Sequence, residues 1–524
     1  MKKRKWGLVL FLVFISFFIF SCQTGNEESN RKEEAFSEED PSITIEEENE
    51  SLNMNGAKDA IEITGEIKKL GKKDRAIILE AEHATLTDLV VENKLDGHSG
   101  SGYVTGFTNE TGTVTFAVNS DVEGLYSLTI GFATPHGEKR ANLLLNHEGM
   151  GEVTFKEVDG FSEVAAGSIY IEKGFNTISL EKGWGWYVVD YIKLKPSHPV
   201  ELHQVEKKLM NPNATEEAKR LYSFLVDHYG KNILSGQQDY NDLQYIQEHT
   251  GKLPAILGLD LMDYSPSRVE RGTTSSDIEH AIDWWHKKVV IVTFSWHWNA
   301  PKDLIDEPGK EWWRGFYTEA TTFDLEYALN NRDSEDFQLL IRDIDVISEH
   351  LKRLQDEKVP ILWRPLHEAE GGWFWWGAKG PEPAKELWKI MYDRMTNHHQ
   401  LHHLIWVWNS VGEDWYPGDE YVDIVSYDSY PGAYNYTPVS NYYEELRNLV
   451  NDQKLIALTE NGPIPDPDQL IKYKAHWSWF CTWSGEILRE QTDIEHLIKV
   501  YNHEYVITLD ELPDLKKYRS SSNE

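Results

Sequence analysis

From Pro199 onward, two kinds of segment alternate along the chain. One kind is short and apolar: "NILSGQQ", "LPAILGLDLMD", "VVIVTFSWHW", "VPILWRPLHE", "HHLIWVWNS", "VDIVSYDSYP", "KLIALTENG" and "HWSWFCTW". The other is longer, with apolar residues at helical spacing, as in "SEDFQLLIRDIDVISEHLKRLQDE" and "NYYEELRNLVNDQ". The apolar runs are continuous rather than alternating, which predicts strands covered on both faces. Eight such strands separated by helices predict a (β/α)8 TIM barrel over residues 198–524.

The pattern before Pro199 is different. Runs such as "AIILEAE", "GTVTFAV", "LYSLTIGFA", "ANLLLN", "SIYIEKGFNTISLE" and "YVVDYIKLKP" alternate apolar and polar residues between Gly, Asn and Asp. Short strands at regular spacing predict an all-β sandwich (jelly roll) over 75–197. Residues 23–74 carry the acidic runs "SEED" and "EEENE" and too little apolar surface to order themselves, so a tether is expected there. The first 22 residues pair a basic "MKKRKWG" with the apolar run "LVLFLVFISFFIF" and end in Ser21-Cys22, the form of an export signal. "IFSC" resembles a bacterial lipobox, which implies a lipid on Cys22 and a protein held at the outer face of the cell membrane.

Composition narrows the function. A chain of 524 residues exceeds one ordinary core, so two folded domains are expected. A formal charge of -35 disfavours nucleic acid or any polyanionic substrate and leaves a neutral ligand, a cation or plain solubility open. The 20 Trp and 25 Tyr are mostly core by expectation, but flat rings also stack on sugar faces. Cys481 is the only cysteine besides Cys22, so with Cys22 lipidated no internal disulfide forms. A monomer is expected.

Nearly every barrel run ends in polar or aromatic residues: Gln237 and Gln238, Asp260 and Asp263, His297, His367 and Glu368, Asn409, Asp428 and Tyr430, Glu460, Trp483. The C-terminal strand ends form the active face of such barrels. Glu368 closes the fourth run and Glu460 the seventh, on opposite sides of the barrel. Two carboxylates flanking one bond perform glycoside hydrolysis, one as proton donor and one at the anomeric carbon. That chemistry needs no cofactor, and the strand ends lack the His and Cys clusters of a zinc site. The histidine-rich "HHQLHH", at 398–403, precedes the fifth strand and falls at the opposite face. Arg364, four residues before Glu368, is a candidate partner for the carboxylates, with a purely structural salt bridge as the alternative. Glu370 is the rival acid.

"WRPLHEAEGGWFWWG" with "LTENG" resembles glycoside hydrolase family 26, whose commonest activity is endo-β-1,4-mannanase, over about 221–512. The resemblance implies retaining hydrolysis with Glu368 as acid/base and Glu460 as nucleophile. It further implies that His367 contacts the sugar beside the cleaved bond and that Trp373 is the ring next to the acid/base. By the same resemblance His297 lines the preceding subsite and Tyr430 hydrogen-bonds the nucleophile. Trp483 is the floor under the reacting sugar, with Trp477 and Trp479 as competitors. Retention requires the carboxyl groups to stand about 5–5.5 Å apart.

"ILEAEHATL" and "GWGWYVVDYIKLKP" resemble carbohydrate-binding module family 35 over about 77–195. This implies a structural calcium held by Glu80, Glu82 and Asp190, all oxygen donors. Tyr103 and Trp184 are the expected sugar platforms of the module, kept exposed by glycine neighbours. The expected partner is therefore a β-mannan polysaccharide, with β-1,3-xylanase, mixed-linkage β-glucanase or a non-catalytic binding lipoprotein as alternatives.

Overall fold

The computed structural model describes residues 62–70, 75–197 and 203–520. The expected export signal, and the tether except for residues 62–70, lie outside the described residues. No helix among the described residues is long and apolar enough to cross a membrane.

The N-terminal module is a sandwich of two six-stranded sheets. One sheet runs in the order Ile67–Leu70, Thr113–Ser120, Gly174–Trp184, Lys139–Leu145 and Glu148–Phe155, with Thr85–Thr87 added at Thr113–Ser120. The other runs Ser162–Ile171, Gly124–Ala133, Val188–Pro196, Tyr103–Thr105 and Val90–Glu92, with Ile77–Glu80 paired to Val188–Pro196. Alternation along each strand sends Phe116, Ile130, Phe155, Ile178 and Ile192 into a shared core. One boundary differs from expectation. Ile67–Leu70 is not tether but an edge strand, parallel to Thr113–Ser120, with Leu70 fully buried. Its sequence, "IKKL", carries two lysines between its apolar ends, and only the neighbouring strand makes it a strand.

The C-terminal module is a closed barrel of eight parallel strands. These are β1 (Gly236–Gln238), β2 (Ile256–Asp260), β3 (Ile291–Trp296), β4 (Ile361–Pro365), β5 (Leu404–Asn409), β6 (Ile424–Ser429), β7 (Leu455–Asn461) and β8 (Phe480–Thr482). Every residue of β3, β4, β5 and β7 is buried, because the barrel interior takes one face and the helices the other. The helix Glu335–Asp356 shows how the outer layer forms. Ser334 caps its first turn by accepting from the Phe337 N–H, and Leu340, Ile344, Ile347, Leu351 and Leu354 make one apolar stripe. Trp388, on the helix Pro381–Asp393, packs edge-on against Trp406 and Trp408 of β5 at 5.4 and 4.8 Å between ring centres. Most tryptophans thus serve the core. "HHQLHH" also serves structure: His403 is buried just before β5, and His399 pairs with Asp345 at 2.7 Å.

The strand bearing Glu460 depends on this packing. Replacing the fully buried Ile456 of β7 with Ala is expected to lower barrel stability by about 2–5 kcal/mol, read as a lower urea midpoint at unchanged m value. A loss below about 1 kcal/mol would mean that β7 is not held by side-chain packing.

Candidate active site

β4 ends at Pro365, which has no N–H to continue the ladder. The chain then places two non-glycine residues in left-handed conformations, Leu366 and Glu368, both at φ 52°. Such backbone costs of order 1–3 kcal/mol per residue and persists only where the surroundings fix it. Here the fixing is visible. The Glu368 N–H donates to Asn409 Oδ1 at 2.8 Å, and Trp376 Nε1 donates to the His367 carbonyl at 2.9 Å. Gly377 closes the turn, where an added Cβ would lie 1.9 Å from the Ala369 carbonyl oxygen. The four aromatics of "WFWW" therefore divide. Phe374, Trp375 and Trp376 are buried scaffold, while Trp373 is 49% exposed and donates from Nε1 to Glu368 Oε2 at 2.9 Å.

Glu460 lies across the barrel at the end of β7. A register shift between Tyr427 and Asp428 of β6 sets Asp428 opposite Glu460. Arg364, buried inside the barrel, spans the two, with Nη1 on Asp428 Oδ2 at 2.7 Å and Nη2 on Glu460 Oε1. Tyr430 donates its hydroxyl to Glu460 Oε2 at 2.8 Å, although its ring is 37% exposed. Arg364 is thus both a structural ion pair and a partner of the nucleophile candidate. Thr459 Oγ1 donates to Asp428 Oδ1 at 2.7 Å. Oxygens of Glu368, Asp428 and Glu460 all lie within 4.8 Å of one another, the one such acidic or metal-ligating trio among the described residues. That proximity matches the ~5–5.5 Å of a retaining pair rather than the ~6.5–9.5 Å of an inverting one.

The charges follow from these contacts. Burial, then the charges of Asp428 and Glu460, hold the Glu368 carboxyl well above the usual carboxylate range, against a weaker opposing bond from Trp373. Burial and the carboxylates also push the Tyr430 phenol well up, so it remains a donor. Burial disfavours the Arg364 charge, but Asp428 and Glu460 outweigh it and the group is held more firmly protonated.

A histidine pair sits beside this centre. His297 Nδ1 meets Asp260 Oδ2 at 2.5 Å, the His297 backbone N–H donates to Asp260 Oδ1 at 3.1 Å, and Nε2 lies 3.2 Å from His367 Nε2. Burial lowers the His297 pKa, but the Asp260 ion pair more than compensates and raises it. Burial, with Arg364 and His297 nearby, drives His367 well below the usual imidazole range. Neutral His367 then accepts from His297, which leaves its own proton on Nδ1, an atom that is buried without a partner. His367 is completely buried and offers no surface for the expected direct contact with the sugar; its imidazole meets His297 instead.

Trp483 is half-buried with its ring 5.8 Å from His297, whereas Trp477 and Trp479 are fully buried and drop out as the cleft floor. Glu370 is exposed and accepts the N–H groups of Val411 and Gly412, each at 3.0 Å, so it braces the loop after β5 instead of acting as the acid. Asp428 stood in the sequence only as a strand-end residue, and its bond to Arg364 went unread; its spacing of two from Tyr430 in "YDSYP" was the available signal. Tyr317, from the β3–β4 connection, stacks on Phe374 at 5.5 Å and lies near enough to Glu368 and Glu460 for their charges to raise its pKa, behind the larger effect of burial. Nothing local in "RGFYTEA" marks it.

In the sandwich, Glu80, Glu82 and Asp190 converge on the loop at 99–101. Ser99 donates its hydroxyl to Glu80 Oε2 at 2.5 Å and its N–H to Asp190 Oδ2 at 3.0 Å, and the Ser101 N–H donates to Glu82 Oε1 at 2.6 Å. Glu82 Oε2 is buried with no partner. Burial raises the Asp190 carboxyl, with the charge of Glu80 adding to the effect. Trp184 is 65% exposed, with Lys139 Nζ 5.0 Å from its ring centre. Tyr103 is 2% exposed, packed against Phe161 and bonded through its hydroxyl to the Leu95 N–H at 3.2 Å. It is a core residue of the sandwich and offers no face for stacking.

Known proteins agree with this arrangement. The model of Glycosyl hydrolase family 26 matches residues 210–511, and that of Carbohydrate binding module (family 35) matches residues 77–197. A mannan endo-1,4-beta-mannosidase of Thermothelomyces thermophilus is 48% identical over 439 residues, spanning 83% of this chain and 90% of its own. Mannan endo-1,4-beta-mannosidase A of Piromyces sp. is 38% identical over 463 residues, covering 85% of this chain and 74% of its own. The crystal structure of the Podospora anserina GH26-CBM35 beta-(1,4)-mannanase superposes with a TM-score of 0.62 at 49% identity, covering 85% of this chain and all of that one (100%). The chain belongs to glycosyl hydrolase family 26 and carries a family 35 carbohydrate binding module ahead of its catalytic barrel.

Proposed function

We infer that the protein is a retaining endo-β-1,4-mannanase, with Glu368 as acid/base and Glu460 as nucleophile. The observation that carries the assignment of roles is the meeting of these two side chains within 4.8 Å in one cleft, in opposite chemical settings. Glu368 has apolar walls and two neighbouring acids, which favour its protonated form near neutral pH. Glu460 accepts from Arg364 and Tyr430, one bond per oxygen, which is the bonding of an ionised carboxylate. In the first step Glu460 attacks the anomeric carbon while Glu368 gives its proton to the departing glycosidic oxygen. In the second, Glu368 takes a proton from water, which displaces Glu460 with a second inversion. Trp483 and His297 border the reacting sugar, and Trp373 orients the acid.

In the module, Trp184 supplies the sugar platform, and Glu80, Glu82 and Asp190 are the residues that would hold a calcium. Their donors are all oxygens, and the unpaired buried Glu82 Oε2 has no other function on view. Such an ion would tie the first strands of the sandwich to Asp190 near its end and take no part in hydrolysis. The sequence of residues 1–22 supports export, with lipid on Cys22 as the finer reading.

Five outcomes test these assignments. Glu460→Ala should lower kcat on linear mannan by roughly 10⁴-fold or more while the protein still binds polymer in affinity electrophoresis. Proton NMR of the first product should show the β-anomer; an α-anomer would rule out retention. Because the Glu368 pKa is raised and its protonated form is the one required, activity should be full below that pKa and fall as pH rises through it. Glu368→Gln should cost about 10²–10⁴-fold on unactivated mannan and erase that alkaline limb. Calcium added after chelation should raise the melting temperature of the native protein but not of Glu82→Gln; equal shifts would remove Glu82 from the ligand set.

A further inference from the structure

The sandwich touches the barrel on the elements that flank the nucleophile strand. The helix Ser440–Leu449 follows β6, and the helix Pro467–Tyr473 follows β7, so the two bracket the strand that ends in Glu460. On the first helix, Ser440 Oγ donates to the Ser168 carbonyl at 3.3 Å. Gly167 (φ +79°) sits in the register shift of the strand Ser162–Ile171, and a Cβ there would lie 2.6 Å from Asn441 Cα, so the two backbones meet without a side chain between them. On the second helix, Lys472 pairs with Glu172 and holds Nζ 4.2 Å from the centre of the Tyr170 ring. Tyr473 belongs to the hydrophobic core of the sandwich and reaches Met150 Sδ at 3.8 Å.

A third contact lies closer to the chemistry. Tyr430, the donor to Glu460, opens the segment 430–437, whose residues 432–434 are exposed and whose Gly432 and Tyr434 are left-handed at φ 94° and 62°. The far end of this segment is tied down. The Tyr434 N–H donates to the Gln491 carbonyl at 2.9 Å, and Tyr436 stacks on His496 at 3.6 Å. Between the ties at Tyr434 and Tyr436, the sandwich presents Gly149, where an added Cβ would lie 2.9 Å from Asn435 Nδ2. Asn435 in turn accepts the Thr437 N–H at 3.2 Å and donates to the Pro431 carbonyl at 3.4 Å, which closes the loop on itself.

We propose that the carbohydrate module is a positioning element of the active centre: by seating Gly149 on Asn435 and Gly167 on Asn441, it fixes the loop that aims Tyr430 at Glu460. This rests on Glu460 being the nucleophile. The module then has two separable contributions, polymer capture through its sugar platform and rate through its dock on the barrel. The second operates on any substrate, including one too short to touch the sandwich. Gly149 and Gly167 act through Tyr430 and never meet the sugar.

The experiment uses the full-length protein with a short soluble β-1,4-manno-oligosaccharide. Gly149→Leu, which forces Asn435 aside, and Gly167→Val, which forces the helix at Asn441 aside, should each lower kcat about tenfold with little change in KM. Tyr430→Phe should do the same, and adding Gly149→Leu to Tyr430→Phe should produce no further loss, because both act on one hydrogen bond. Hydrogen exchange in the helix Ser440–Leu449 should rise in Gly167→Val, and circular dichroism confirms that each variant is folded. If Gly167→Val does not fold, the Gly149→Leu and double-variant comparison decides alone. Unchanged kcat in a folded Gly149→Leu protein, or multiplying losses in the double variant, would overturn the proposal. Loss of Glu460 as nucleophile would show separately, as a Glu460→Ala enzyme that still hydrolyses mannan.

Discussion

The site depends on one buried cation. Arg364 lies inside the barrel between Asp428 and Glu460, where no solvent can compensate any of the three charges. Taking ions out of water costs several kcal/mol each, and the cost is offset only when the geometry satisfies every group. That condition explains the architecture around Arg364. β4 must supply the guanidinium, β6 must shift register to bring up Asp428, and β7 must end with Glu460 facing inward. Glu368, four residues beyond Arg364, then meets two acids that already share that cation. The same arrangement therefore gives each Glu460 oxygen a donor and holds the Glu368 carboxyl well above the usual carboxylate range. Two identical side chains thus stand in opposite chemical settings, with the guanidinium bonded to Glu460.

Strain and packing convert that electrostatic plan into fixed positions. The left-handed Leu366 and Glu368 cannot be held by the strand ladder, which ends at Pro365. They are held by Asn409 and by the indole of Trp376, which explains why a sequence rich in large rings follows the acid directly. A second layer, Asp260 and His367, fixes the imidazole of His297 from either side.

Much of this was legible in the sequence because its periodicities are strong. Continuous apolar runs gave all eight barrel strands, and alternation gave most of the sandwich. Glu368, Glu460, Tyr430 and Trp373 were legible from motif and position along a strand. What sequence concealed was depth. His367 and Tyr103 sit beside polar or glycine neighbours that suggested exposure, yet tertiary packing buries both. "IKKL" at 67–70 is too short and too charged to declare itself a strand, and only its partner strand makes it one. Tyr317 enters the cleft from a long connection, and contacts of that kind leave no local pattern.

The central claim is that the Glu460 carboxylate forms the bond to sugar. Incubating the enzyme with a 2-deoxy-2-fluoro-β-mannosyl fluoride tests it most directly. Fluoride leaves as the Glu460 oxygen joins the anomeric carbon, and the fluorine on C2 slows the second step so that the ester accumulates. Peptide mapping by mass spectrometry should find one fluoromannosyl group, on the peptide containing Glu460. A label on Glu368 or Asp428, or turnover of the reagent with no ester formed, would contradict the account.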